Sequence, residues 1–451
     1  MPASPDPLCP VRVPLSRRPM GVIASAMTAR RNLLELIPEI ATRQPMVSGR
    51  TGKRWHMVMD PGALAHVLKE RVEDYPKSLV TRLILAPAIG NSLFVAEGAH
   101  WRWQRLAAAP AFSQRHVEAL APVMTAAAEA SARRLAACRG PVDLFEECVA
   151  ATFEVISEVT FSGGTGFERD AVHRAIGGFI DGAARLSVMD ILGLPGWLPR
   201  PGRLFSGGEL RRMKRMADAA IAARARSGAR APPDLLDLLR AGHDPETGRA
   251  MTPAELRDNL LTFIVAGHET TALTLAWALY LLAFDSKVQH LAAIEAAAVL
   301  DGRAATVADL PRLPLVHQII EETLRLYPPA AMLSRTARTP DRLCGREIRP
   351  GDTVMLPIYA LHRHRLLWPE PDRFDPGRFA PDRGHERMAF LPFGAGPRIC
   401  IGAGFALQEA AIILATLLSR LRFAPQSRMP QPRMILTLRP HGGVWLRVHP
   451  R

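Results

Sequence analysis

Helix-like apolar patterning dominates this chain, and its two longest greasy runs, residues 261–284 and 406–421, are the places to begin. The first is preceded by Thr252-Pro253-Ala254-Glu255, a capping box with proline at the first helical position, and no proline follows until Pro311. The pattern predicts one helix of about 32 residues, roughly 48 Å at 1.5 Å per residue, long enough to cross a whole domain. Residues 261–284 also have the length to span a bilayer, but His268 and Glu269 lie within the run and would be costly in lipid. A buried core helix is therefore expected. A further helix is predicted over 318–327, halted by Pro328-Pro329, and another around Trp101 and Arg105, ahead of Pro110. Short strand-like runs such as 353–355 and 434–438 sit late in the chain.

The run at 406–421 directly follows Phe393-Gly394-Ala395-Gly396-Pro397-Arg398-Ile399-Cys400-Ile401-Gly402. One thiol is thus presented by a glycine-rich loop at the start of a helix, where unpaired N–H groups and a partial positive charge favour a thiolate. Gly394, Gly396 and Gly402 let the backbone turn tightly and bring amide N–H groups toward the sulfur. Arg398 adds a fixed charge beside it. A cysteine near glycines is more often a small buried hydrophobe, so on this feature alone both readings stand. Two other glycine patterns are rejected: Gly394-x-Gly396 and Gly402-x-Gly404 each lack the third glycine of a dinucleotide fingerprint, and no Walker A lysine–hydroxyl pair occurs.

At the centre of the long helix lies Ala266-Gly267-His268-Glu269-Thr270-Thr271. Ala266 and Thr270 share a face, and Gly267 removes side-chain bulk where a ligand could approach. An acid and a hydroxyl are adjacent in an apolar wall, suited to proton transfer. The plainer alternative is that Thr270 bonds its own i−4 carbonyl and that Glu269 is a buried structural acid. Glu322 and Arg325 meet three apart on one helical face, and Trp101 and Arg105, one turn apart, can grip the same carboxylate. Residues 79–94 form a largely apolar connection. Phe263, Ala266, Ala330, Met332 and Leu333 are further candidates for a substrate pocket, although such residues more often belong to ordinary core.

Composition narrows the class. The 451 residues are 48% hydrophobic with a net charge of +14, no composition break divides them, and one large globular unit is preferred over two or three domains. Within it, residues 1–45 read as a basic lead-in with a first helix and 46–451 as the catalytic core. The five cysteines, Cys9, Cys138, Cys148, Cys344 and Cys400, are scattered, odd in number and free of any Cys-x-x-Cys pair, so a disulfide scaffold is not expected and a reducing cytoplasm fits. Only five lysines occur; arginine supplies the rest, with 19 arginines against 9 carboxylates over residues 331–451, a net of +10 on the stretch that holds Cys400. An acidic partner or cofactor would be attracted there. The arginines are spread singly rather than clustered with aromatics, which argues against nucleic-acid binding. Arg17-Arg18 faintly imitates a twin-arginine signal, but the apolar stretch after it is short, so neither export nor a membrane span is expected.

The pattern Phe393-x-x-Gly396-x-Arg398-x-Cys400-x-Gly402 resembles the haem-thiolate loop of the cytochrome P-450 family, and the Ala-Gly-x-Glu-Thr-Thr segment resembles that family's oxygen-binding helix. Glu322-x-x-Arg325 resembles its Glu-x-x-Arg motif, joined by Arg378 from Pro376-Gly377-Arg378-Phe379, where glycine replaces the usual acid. The likeness runs from about Trp101 to the C-terminus. It implies a mainly α fold with a small β-rich region from parts of 47–60, 330–360 and 432–449. It implies haem b, with Cys400 as axial iron ligand, Phe393 packed beside the sulfur, Trp101, Arg105, Arg335 and Arg398 on the propionates, and Ala266 against the cofactor. Thr270 would then hydrogen-bond dioxygen, Glu269 would relay protons, and Glu322, Arg325 and Arg378 would hold the core. The implied activity is a monomeric, cytoplasmic monooxygenase using dioxygen on a small apolar organic substrate, hydroxylating or epoxidising it. No fused redox domain is expected, so electrons would come from a separate ferredoxin or flavodoxin with its NAD(P)H reductase. A peroxide-dependent peroxygenase or rearrangement enzyme and a non-enzymatic haem-based sensor are the rivals. The Glu269-Thr270 pair argues against the first, and the lack of an effector module against the second.

Overall fold

The computed structural model describes residues 10–161, 178, 207–230, 233–244 and 246–451; Cys9 lies outside them. Seven helices frame the site: α1 (Leu79–Ile89), α2 (Gly98–Ala108), α3 (Ala121–Ala137), α4 (Leu144–Phe161), α5 (Pro253–Phe284), α6 (Pro314–Leu326) and α7 (Ala403–Arg420). The long helix α5 begins and ends where the pattern predicts. Its capping box is complete, with the Thr252 hydroxyl accepting from the Glu255 N–H and the Glu255 carboxylate accepting from the Thr252 N–H. It is apolar all round because it is enclosed all round, as a helix in the centre of a large domain must be. Helix α4 packs along it, α3 packs on α7, and α6 touches both α5 and α7. Trp277 of α5 stacks on Tyr327 at 4.0 Å, and its indole N–H donates to the Leu438 carbonyl, tying the helix to the late β-region.

Six strands concern the site: β1 (Met46–Thr51), β2 (Lys53–Val58), β3 (Leu333–Thr336), β4 (Thr353–Leu356), β5 (Gln431–Met434) and β6 (Leu438–His441). The first four make a sheet in the order β1-β2-β4-β3, with β2 and β4 parallel and the other pairs antiparallel. The expected β-rich region is therefore present, assembled from stretches about 300 residues apart.

Two local expectations differ. Residues 79–94 are not a mere connection: Ser78 caps α1 by accepting from the Thr81 N–H, and Gly90 (φ 57°) stops it where a Cβ would strike the Asp258 carboxylate. Residues 434–438 are not one strand. Met434 and Leu438 pair across a hairpin, and the apolar residues between them form its tip because they face a cavity instead of a ladder. Helix α7 has the length and apolarity to cross a membrane, but two-thirds of it is buried against the helices above, the ordinary state of a core helix.

Candidate functional site

A cavity of about 1380 Å³ lies between α5 and the Cys400 loop. Cys400, Phe393, Arg398, Ala266, Glu269, Thr270, Trp101, Arg105 and Arg335 all line it, so nine of the residues singled out from sequence are brought to one space. The loop achieves this through positive-φ turns at Gly394 (74°) and Gly396 (70°). A Cβ on Gly396 would lie 2.0 Å from the Leu68 carbonyl oxygen, so this position admits no side chain. The Cys400 N–H donates to the Phe393 carbonyl at 3.0 Å, closing the loop and turning the sulfur to the cavity.

The protonation expected of Cys400 needs correction. Burial pushes the thiol up, against the downward pull of the Gly402 N–H, Arg105 and Lys77. The loop's partial charges do not overcome desolvation, so a bound metal is what would make the thiolate stable, with release of a proton. Cys400 retains accessible surface although its ionisation is governed by burial, because it opens onto the cavity while protein surrounds it elsewhere. Among the described residues no group of three or more His, Cys, Asp or Glu could hold a metal.

The charges around the cavity fit such a group. Arg105 has no hydrogen-bond partner among the described residues, and Arg335, 6% exposed, donates only to the Ser334 carbonyl. Arg398 donates to the Ala96 carbonyl, pairs with Glu97 and lies 4.0 Å over the Trp101 ring; burial pulls its pKa down to about 10. Lys77, which the sequence reading passed over, joins them: it bonds the Phe94 carbonyl, and desolvation followed by repulsion from Arg335 and Arg398 lowers its pKa well below the ordinary value. Lys77, Arg335 and Arg398 thus share the Glu97 carboxylate, while Arg105 feels the Cys400 sulfur. Buried cations without counter-charges are costly, and two carboxylates on a bound cofactor would balance them. Lys77 is one of only five lysines in the chain, and that rarity is its one signal in the sequence.

Across the cavity, the α5 residues sit differently from expectation. The Thr270 hydroxyl donates to the Ala266 carbonyl at 2.9 Å, the back-bonded arrangement. Glu269 is buried, and its Oε1 accepts from Arg439 Nε at 2.5 Å and Thr437 Oγ1 at 2.8 Å. Burial raises its pKa, but Arg439, His268 and Thr437 outweigh it and hold the carboxyl below its ordinary value. The missing Cβ of Gly267 points at Ile156 of α4, 3.0 Å away, so this glycine serves helix packing first.

Glu322 and Arg325, both fully buried, are paired at 2.6 Å; Arg325 also donates to the carbonyls of His362, Pro371 and Arg373. Arg378 approaches Glu322 at 3.5 Å and donates to the Glu370 carbonyl, completing the three-residue cluster despite Gly377. His362 extends it to the cofactor loop. Its Nδ1 bonds the Arg325 carbonyl and its Nε2 accepts from the Leu391 N–H, so the ring is neutral with the proton on Nδ1; burial and Arg325 lower its pKa to about 3. No spacing in the sequence announces this link.

Residues 28–446 match the family model for cytochrome P450. The chain is 33% identical over 425 residues to cyclooctatin synthase of Streptomyces melanosporofaciens, covering 92% of this chain and 91% of that one. It is 37% identical over 344 residues to cyclooctat-9-en-7-ol 5-monooxygenase of the same organism, covering 75% and 73%. The crystal structure of the cytochrome P450DA heme domain superposes with a TM-score of 0.79 at 27% identity over 90% of each chain. The chain belongs to the cytochrome P450 family, as a haem b monooxygenase with its family's fold.

Proposed function

We propose that this monooxygenase hydroxylates or epoxidises an apolar organic substrate, with electrons delivered by a separate ferredoxin or flavodoxin. The observation that carries the reading is the large cavity, walled mainly by aliphatic side chains, that holds Cys400 and Thr270 together. Relatives named for oxidation of organic molecules, the cyclooctat-9-en-7-ol 5-monooxygenase among them, support it. The cluster of +10 over residues 331–451 supports an acidic electron donor on the Cys400 side.

When bound, the haem supplies dioxygen activation, and a thiolate ligand favours O–O cleavage. Cys400 would hold the iron, with the Gly402 N–H shared to the sulfur. Arg105, Arg335, Arg398 and Lys77 would take the propionates, Arg398 exchanging Glu97 for a cofactor carboxylate. Phe393 and Ala266 would flank the cofactor. The Thr270 hydroxyl must leave the Ala266 carbonyl to offer its proton to the cavity, and Glu269 must loosen from Arg439 to pass one inward.

Carbon monoxide on the reduced protein should give the red-shifted Soret band of a thiolate ligand, lost in Cys400→Ser; an unchanged band in that variant would sink the assignment. Thr270→Ala should keep the haem and divert electrons to peroxide, which a ratio of product to reductant consumed would read. Turnover with peroxide alone, and none with dioxygen and reductant, would replace this reading with a peroxygenase.

A further inference from the structure

One buried contact of the Cys400 loop leads away from the cavity. The Leu68 carbonyl occupies the place that a Cβ would take on Gly396, and Leu68 is itself buried. It is the middle residue of a single π-helical turn, His66–Glu70, which continues the helix Pro61–Ala65 and is closed by the Arg71 N–H donating to the His66 carbonyl at 2.9 Å. Single π-turns inside helices recur at functional sites.

His66 fastens both ends of this turn. Its Nδ1 lies 3.1 Å from Glu70 Oε2, and its Nε2 lies 2.9 Å from Asp341 Oδ2 on the strand Asp341–Leu343. A neutral imidazole has one N–H and can donate to only one of these carboxylates, whereas the imidazolium donates to both. The charged ring therefore closes the turn on itself and ties it to the neighbouring hairpin; the neutral ring leaves one acid unserved. Burial alone would lower the His66 pKa, but the bonds to Asp341 and Glu70 outweigh it and raise the pKa above its ordinary 6.5. Asp341 is fixed in turn by the Tyr75 hydroxyl at 2.7 Å and the Arg342 N–H at 2.7 Å, and the Arg71–Asp74 pair acts on it from nearby. Asp60, at the start of the helix, is occupied in capping it and accepts from the Ala63 N–H. The His66 side chain is 30% exposed, so solvent protons reach it.

We propose that His66 is a positioning residue for the Cys400 loop, a proton-operated clamp that seats the loop firmly when the ring is charged and loosens it when the ring is neutral. What the loop carries rests on the haem-thiolate reading; the clamp rests on the protein alone. Below pH 6.5 the clamp is fully engaged, and its contribution is lost as pH rises through the raised pKa. Glu409, a buried acid whose pKa is raised to about 8, titrates in the same range, so differences between variants isolate the clamp.

The test uses the haem-loaded protein and two readouts: deuterium exchange of the backbone amides in residues 393–402, corrected for intrinsic rates, and the lifetime of the red-shifted Soret band in the reduced carbon monoxide form. From about pH 6 to about pH 8.5, exchange in this segment should quicken and the band lifetime should shorten, each by about tenfold. His66→Gln, which carries no charge, should show the faster values at both ends of that range, with exchange elsewhere unchanged. Glu70 is largely exposed, so Glu70→Gln should leave folding intact, and it should move the midpoint of the profile to lower pH, which a merely structural role would not do. A flat wild-type exchange profile, wild-type pH dependence in His66→Gln, or an unmoved midpoint in Glu70→Gln would overturn the proposal. So would faster exchange throughout the protein in His66→Gln, since His66 would then be a general structural contact. A red-shifted band absent at every pH, with the exchange profile as expected, would count against the haem-thiolate reading and leave the clamp standing.

Discussion

Two arginine clusters in this molecule differ in how fully their cations are partnered. Around Glu322, Arg325 is fully enclosed yet every polar edge is used: two bonds to the carboxylate and three to backbone carbonyls. Around the cavity, Lys77, Arg335 and Arg398 share the Glu97 carboxylate, Arg105 has no carboxylate partner among the described residues, and desolvation lowers the pKa of all four. Arg325 is satisfied by protein alone, and its cluster holds the loop that carries Cys400, through His362 and the Leu391 N–H. The second is complete only with an anionic cofactor. Counting partners, carboxylates and backbone carbonyls together, therefore separates a structural cluster from a binding one, where burial alone does not.

The widest test of that contrast is Arg325→Ala. It strands Glu322 in the core, where burial already pushes the carboxyl up, and should cost about 3–5 kcal/mol, with soluble yield and haem content falling together. Denaturant titration and the absorbance ratio of haem to protein would show it.

Glu409 sharpens the comparison from the other side, as a buried acid with no cation within ion-pair distance among the described residues. The Thr271 hydroxyl approaches it without completing a bond of good geometry, and burial raises its pKa from 4.5 to about 8. Below 4.5 the folded and unfolded chains both carry the proton, so there is no penalty. Between 4.5 and 8 the unfolded chain releases it and the folded chain does not, so stability falls as pH rises. Glu409→Gln should remove that slope and stabilise the protein by about 3 kcal/mol at pH 7, read from denaturation midpoints at several pH values.

The smallest expected effect is the most discriminating. Arg335→Gln should weaken haem retention by about 2 kcal/mol, roughly thirtyfold, yet stabilise the haem-free protein slightly, because a buried cation disappears. Opposite signs in the two forms, measured by haem transfer and by melting of the haem-free protein, would mark a binding cluster. A loss in both would make Arg335 structural like Arg325.

Much of this was legible in the residues. The capping box located the start of α5, the absence of proline gave its length, and Glu322-x-x-Arg325 named a pair that does meet. Motifs within one element are readable because helix spacing alone brings their members together. Lys77, Glu97, Arg439 and His362 were not legible, since each acts on a group 20 to more than 300 residues away. The Cys400 thiol obeys the same rule: local loop charges pull its pKa down, and burial by distant parts of the chain pushes it up.

The sequence by itself determined the long central helix, the thiol loop and the family to which the chain belongs, because these rest on spacing and on residue types that few other arrangements use. Only the tertiary structure decided which charges are balanced. Whether a buried arginine finds a carboxylate, a carbonyl or nothing depends on what distant strands and helices bring to it, and desolvation acts on that assembled environment rather than on any stretch of chain.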